Sequence, residues 1–351
     1  MSALPLPIHW PDASRLAAFE QWLAAITPRH GLQRATLAAA SADASFRRYL
    51  RIRGRAGTLV VMDAPPPLED VRPFVQVAAL LAAARLNAPR VLEADTERGF
   101  LLLTDLGQQP YLEALRSASP ALADSLMRDA LNALVHFQRH VSADGLPPFD
   151  ADLLARELAL FPDWCVQREF GLTWAPSEQQ SWESLCATLI DSALAQPQVA
   201  VHADWMPRNL MVAPPGAANP GILDFQDAVR GPISYDLASL LRDAFISWPE
   251  EQEVDWAVRW WQQARAAGLP VDGDFGEFWR ALEWMGLQRH LKVMGIFCRL
   301  KHRDGKAHYA TDLPRFFSYA TRVASRYRPL KPLLRLLEPL SGTAVTTGYT
   351  F

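Results

Sequence analysis

The chain has 351 residues, half of them hydrophobic, and a formal net charge of −3. That length allows one large or two modest domains with a sizeable core, and that charge argues against the basic field of a nucleic-acid binder. Its three cysteines, Cys165, Cys186 and Cys298, are scattered, odd in number and without metal-ligand spacing, which argues against a disulfide framework and for buried thiols in a reducing compartment. No stretch of about twenty uncharged apolar residues could span a bilayer. The opening MSALPLPIHWPDASRL lacks the charged and apolar regions of a secretory signal. A soluble, cytoplasmic protein is expected.

A helix is predicted after Trp10-Pro11-Asp12, with Asp12 as N-cap and Leu16, Phe19, Leu23 and Ile26 at helical spacing, ending near Pro28 and Gly31. Three strand-like runs follow: LQRATLAAA, FRRYLRIR and TLVVMDA. The SADAS and GRAG segments between them make an antiparallel meander the economical reading. Pro65-Pro66-Pro67 breaks the chain. Residues 70–86 then read as a helix with Phe74, Val77, Leu80 and Leu81 on one face, followed by the strands PRVLEAD and GFLLLTDL. Residues 111–194 are mostly helical in pattern, and more helices run to the end. The tryptophans, concentrated from Trp164 onward, read as core.

Between the helical regions lies VAVHADWMPRNLMV, a Pro/Gly-rich turn and GILDFQDAVRGPISYDLASLLRDAF. Asp204 follows His202 by two, Asn209 follows Asp204 by five, and Asp224 ends an apolar run fifteen residues later. Phosphoryl transfer from ATP needs a carboxylate to orient and deprotonate the acceptor hydroxyl. It also needs an amide oxygen and a second carboxylate to hold Mg2+ on the phosphates, and H-x-D-x-x-x-x-N followed by a strand-borne Asp supplies them. Mg2+ takes one or two protein oxygens and fills its octahedron with water and phosphate. Asn209 and Asp224 suit that role if LMV and ILDF pair as a hairpin. Singly, each residue fits an ordinary turn; as an ordered set they read as a site, with Asp204 as base. His202 and Asp236 are read as loop supports, and Arg208 either stabilises the transferred γ-phosphoryl or pairs with Asp204.

With that block in place, strands, one helix and two more strands read as the small lobe of a two-lobed, α+β, protein-kinase-like fold. Residues 1–105 form the nucleotide-binding lobe and 106–351 a mainly helical catalytic and substrate-binding lobe. The turn 41–45 then covers the phosphates, with Ser45 and Phe46 leading into the second strand; it lacks glycines, but backbone N–H groups can cradle phosphate. The third strand should carry a phosphate-gripping lysine. Val60-Val61-Met62-Asp63-Ala64 stands there instead, and the first lysine of the chain is Lys292. Either the protein is a nucleotide-binding pseudokinase or another cation substitutes; of Arg47, Arg48, Arg51 and Arg53, the first two are favoured, since arginine matches phosphate bidentately. Thr104, Asp105 and Leu106 form the expected adenine-binding hinge. The acidic clusters at Glu250, Glu251, Glu253 and Asp255, and at Asp272, Asp274 and Glu277, suit a cationic substrate or, more simply, a solvated helix face.

HADWMPRN (202–209) and ILDFQD (222–227), with Gly231 and Asp236, resemble the aminoglycoside phosphotransferase superfamily of choline, homoserine, fructosamine and sugar kinases. DASFRRYLR, VVMDAPPPLEDVRPF, LLLTDLG and MGLQRHLKVMGIFCRLKHRDGKAHYATDLPRFF more closely resemble the anomeric N-acetylmuramate/N-acetylglucosamine kinases of bacterial cell-wall recycling. That likeness implies transfer of the ATP γ-phosphate to the C1 hydroxyl of an amino sugar, whose 1-phosphate would pass to a uridylyltransferase. It also makes MDAPP the usual text where the lysine is missing. N-acetylmuramate carries a lactyl carboxylate and would need a cation such as Arg289, His290 or Lys292. The alternatives are a kinase of another small hydroxyl compound, such as an aminoglycoside or choline, or a pseudokinase.

Overall fold

The computed structural model describes residues 8, 10, 12–41, 46–214 and 216–341; most of the expected phosphate-covering turn, Ser45 included, lies outside them. In chain order the elements are α1 (Ala13–His30), β1 (Gln33–Ser41), β2 (Arg48–Gly54), β3 (Gly57–Asp63), α2 (Arg72–Ala83), β4 (Val91–Asp95) and β5 (Phe100–Thr104). Then come α3 (Tyr111–Arg116), α4 (Pro120–His140), α5 (Ala151–Leu160), a π-helical segment (Phe161–Glu169), α6 (Pro176–Leu194), β6 (Gln198–Val201), β7 (Leu210–Met211), β8 (Gly221–Ile222) and β9 (Val229–Pro232). Helices α7 (Tyr235–Leu241), α8 (Glu250–Ala266), α9 (Phe275–Asp304), α10 (Leu313–Arg326) and α11 (Pro332–Ser341) complete the chain. By packing it divides into two units, Met1–Ala133 with Arg208–Asp227, and Leu134–Pro207 with Ala228–Phe351. These differ from a division after Asp105: residues 106–133 and 208–227 group with the first unit.

The first unit is built on a five-stranded antiparallel sheet in the order β1-β2-β3-β5-β4. Asp12 caps α1 by accepting the Arg15 N–H, and Gly31 ends it at φ 62°, a left-handed turn natural to glycine. Between those caps Phe19, Trp22, Leu23 and Ile26 bury one stripe against Leu50, Ile52, Val61, Phe100 and Leu102. Strand alternation decides what the other face carries: with Leu50 and Ile52 turned to α1, Tyr49 and Arg51 stand opposite. In α2 the buried stripe is Phe74, Val77, Ala78 and Leu81; Leu80, expected on it, is only half-buried. The expected hairpin forms as β7 and β8, Leu210 facing Ile222 and Met211 facing Gly221.

The second unit packs around the 30-residue α9, capped by Asp274 and ended by Gly305 at φ 69°. Gly295 lets this helix approach the start of the π-helical segment: a Cβ there would lie 2.4 Å from the Leu160 carbonyl carbon and oxygen. Cys165, Cys298 and Trp182 are buried in one core cluster, and Trp205, Trp256 and Trp260 are buried too. The first acidic cluster is no plain solvated face. Glu251 and Asp255 are exposed, but Glu253 is buried, bonded by Arg242 at 3.1 Å and Arg322 at 2.9 Å, while Glu250 takes Arg326 at 2.6 Å. Buried carboxylates need such partners, and these come from segments distant in sequence. Of the second cluster, Asp274 caps α9, and Asp272 and Glu277 line a hollow of about 560 Å³.

Candidate active site

Within the first unit a cavity of about 430 Å³ opens on the face of the sheet away from α1. Its strand wall is Ala40, Tyr49, Arg51, Val60 and Leu103; Thr104, Asp105, Leu106 and Gly107 line it where the chain leaves β5; Arg208, Asn209, Leu223 and Asp224 line it from the β7–β8 hairpin. The hinge segment, the metal-ligand pair and Arg208 expected from sequence therefore share one hollow. The hairpin register explains the pair: Leu223 N donates to Asn209 O at 2.9 Å, and Asn209 Nδ2 donates to Asp224 Oδ2 at 3.3 Å. An amide and a carboxylate thus stand side by side, hard oxygen donors of the kind Mg2+ takes. Gln226 Nε2 steadies them, donating to Asp224 Oδ1 and Asp227 Oδ2, each at 3.0 Å.

The favoured arginines are placed elsewhere. Arg48 pairs with buried Asp63 and lies over the Trp10 ring at 4.2 Å, on the α1 side that strand alternation assigns to even residues. Arg47 donates to Glu69 Oε2 at 2.9 Å, and the exposed Phe46 gives its N–H to Glu69 Oε1 at 3.2 Å. Neither arginine is among the described residues lining the cavity. Arg51 is. It faces Val60 across the strand pair and is held by Asp105 through Nε at 2.6 Å and Nη2 at 3.0 Å, with Nη2 also reaching Gly107 O at 2.8 Å. Asp105 Oδ1 takes the Gly107 N–H at 3.0 Å as well, so one carboxylate ties β2 to the segment after β5. Thr104 Oγ1 accepts the Arg90 N–H at 2.9 Å. The alternation of apolar Leu50 and Ile52 carried the signal for Arg51.

In the second unit, the loop after β6 holds His202 and Asp204. Ala203 sits at φ 75°, strained for an L-residue, and buried Asp236 at the start of α7 pins it. Its carboxylate accepts the His202 N–H at 2.7 Å and the Ala203 N–H at 3.1 Å. Burial pushes Asp236 up to about 7; the two N–H donors pull the other way. His202 Nδ1 accepts the Asp204 N–H at 3.2 Å. Asp204, half-buried, lies within electrostatic reach of Tyr235 and Lys292.

Of the three cations expected to meet a substrate carboxylate, two are enclosed. Arg289 and His290 are 2 % and 1 % exposed, because α9 turns both into the core. His290 Nε2 meets Arg242 O at 3.1 Å and its ring stacks on Tyr319; burial drives its pKa well below the usual histidine value. Arg289 acts on buried Asp236 and Asp243. The third, Lys292, stands with Glu157 and Tyr235 near Asp204.

The phosphotransferase enzyme family pattern matches residues 36–279. The N-acetylmuramate/N-acetylglucosamine kinase of Pseudomonas putida is 51 % identical over 88 % of this chain and 89 % of its own length. The protein of that name from Neisseria meningitidis is 46 % identical over 96 % of this chain and 99 % of its own. Among solved structures, the streptomycin–ATP–APH(2")-IIa ternary complex aligns with a TM-score of 0.57 at 15 % identity, covering 87 % of this chain and 97 % of that one. That likeness shows the fold, an α+β architecture of the two-lobed kinase-like class.

Proposed function

The chain belongs to the phosphotransferase enzyme family, and from that premise we propose that it transfers the γ-phosphate of ATP to the anomeric C1 hydroxyl of N-acetylmuramate and N-acetylglucosamine. The observation that carries this reading is 46 % identity over 96 % of the chain to a kinase of that name, and the spacing of Asp204, Asn209 and Asp224 along the chain supports it. Residues 1–105 begin the nucleotide-binding part, which takes in 106–133 and 208–227, and the remainder of 106–351 is the catalytic and acceptor part. In the cytoplasm the sugar 1-phosphate would be consumed by a uridylyltransferase, returning it to peptidoglycan precursors.

Each proposed role follows from chemistry. Asp204 orients the acceptor hydroxyl and takes its proton as the oxygen bonds to the γ-phosphorus and the bond to the β-phosphate oxygen breaks, releasing ADP. Arg208, lining the nucleotide cavity, stabilises charge on the transferred group. Asn209 and Asp224 would hold Mg2+, which neutralises phosphate charge when bound. Asp236 and His202 hold the loop bearing Asp204. Thr104, Asp105 and Leu106 receive the base, with Arg51 beside them. The phosphate-covering turn that ends at Ser45 leads into Phe46, whereas Arg47 and Arg48, engaged by Glu69 and Asp63, yield the role of nucleotide-side cation to Arg51.

The test is phosphate transfer from labelled ATP to a panel of free sugars, with product NMR locating the phosphate. Transfer to C1 of the two amino sugars is expected. Transfer only to C6, or to an aminoglycoside or choline instead, would replace this reading.

A further inference from the structure

Three side chains from three helices converge beside Asp204: Glu157 from α5, Tyr235 from α7 and Lys292 from α9. Lys292 Nζ reaches Glu157 Oε1 at 2.5 Å and donates to the Tyr235 hydroxyl at 3.2 Å. Buried Gln288, one turn earlier on α9, fixes the far oxygen of Glu157 through Nε2 at 3.0 Å. An ammonium has three N–H donors. Glu157 and Tyr235 engage two, and among the described residues the third has no protein acceptor.

Of the three α9 cations considered for an anionic acceptor, Arg289 and His290 are enclosed, whereas the Lys292 side chain is 20 % exposed. Burial alone would lower the pKa of this ammonium; the Tyr235 oxygen and the carboxylates of Glu157 and Asp204 outweigh it and raise the pKa instead. The surroundings are otherwise anionic, with Glu157 and Asp204 close by. A carboxylate entering there needs a positive donor.

The two sugars of the proposed reaction differ at one place: N-acetylmuramate bears an O3 lactyl ether ending in a carboxylate. We propose that Lys292, pinned between Glu157 and Tyr235, is the lactyl-carboxylate anchor and sets the preference for N-acetylmuramate over N-acetylglucosamine. This rests on the amino-sugar kinase reading above. Glu157 already offsets the lysine charge, so the contact is one charge-assisted hydrogen bond. It favours the acidic sugar without excluding the neutral one.

The experiment compares kcat/KM for both sugars in the unaltered protein, Lys292→Met and Lys292→Arg, and for the uncharged lactyl methyl ester of N-acetylmuramate in the unaltered protein. The ratio of N-acetylmuramate to N-acetylglucosamine should fall roughly ten- to a hundredfold in Lys292→Met and recover in part in Lys292→Arg. The ester should lose a similar factor against the acid. Equal losses on both sugars in Lys292→Met would make the residue a brace for the Asp204 loop and overturn the proposal. An ester as good as the acid overturns it too, and that arm decides alone if the variant does not fold. Should the unaltered protein phosphorylate neither sugar, the underlying function falls and the anchor with it.

Discussion

Two residues around the candidate site, Ala203 at φ 75° and Asp224 at φ 61°, hold left-handed backbone that glycine adopts without strain. Aspartate visits that region more readily than most residues; alanine does not, and the two N–H bonds into Asp236 hold it there. Replacing Asp204 by Asn should lower kcat by about 10²–10⁴ with little change in melting temperature, since the native side chain is half-exposed. Turnover near the unaltered level would remove it from the mechanism. Burial pushes the Asp236 carboxyl up to about 7 in the fold, from 3.8 for an ordinary aspartate. Between those values the folded chain retains a proton the unfolded chain has lost, so this group's contribution to stability falls as pH rises through that window, by at most about 1.4 kcal/mol per pH unit. Asp236→Asn should flatten the pH dependence of denaturant stability across pH 4.5–6.5. An unaltered slope would assign the effect elsewhere. At this scale the order of Asp204, Asn209 and Asp224 was legible because chain spacing sets it. The burial of Arg289 and His290 was not, because the turning of α9 against its neighbours decides which side of it meets solvent.

Strand alternation governs the cavity proposed for the nucleotide at the scale of elements. Leu50 and Ile52 pack under α1, which sends Arg48 to Asp63 and Arg51 to Asp105; apolar parity excludes Arg48 and leaves Arg51 and Arg53 within the strand, whereas proximity to the phosphate turn pointed to Arg47 and Arg48. If Arg51 holds the hinge, Arg51→Gln should raise the KM for ATP by roughly tenfold, the worth of one or two charge-assisted hydrogen bonds, with a much smaller effect on kcat. A fall in kcat at unchanged KM would instead put it on the transferred phosphate. The five strands, α1 and α2 were readable from periodicity and caps. The π-helical turn at Phe161–Glu169 was not, since its pattern resembles α-helix and its register comes from packing. Gly295→Ala meets the Leu160 backbone there and should destabilise the fold by about 3 kcal/mol through overpacking, measured by chemical denaturation; a loss below about 0.5 kcal/mol would mean the two helices part freely.

Each packing unit of the whole molecule has its own core, and the proposed roles divide between them. The nucleotide hollow, Asn209 and Asp224 belong to one; Asp204, Glu157, Tyr235 and Lys292 belong to the other. Hydrogen exchange should separate the two ligands. Mg-ADP should slow amides at 104–107 and 209–224, while the amino sugar should slow those around 204 and 288–292. A sugar that protects only the nucleotide segments would contradict the acceptor assignment. The kinase-like class was legible from the strand-helix-strand order ahead of the HADWMPRN block, but the unit boundary was not, because it follows how residues 106–133 and 208–227 pack rather than where strands give way to helices.

The cationic lining of the nucleotide hollow is guanidinium, from Arg51 and Arg208, in a chain whose first lysine is at position 292. Reagents that tag ATP-using enzymes by acylating an amine beside the phosphates find nothing to modify on that wall. Dicarbonyl compounds selective for arginine should label it instead, and nucleotide should shield it. Inventories of kinases built on amine capture will therefore pass over proteins made this way.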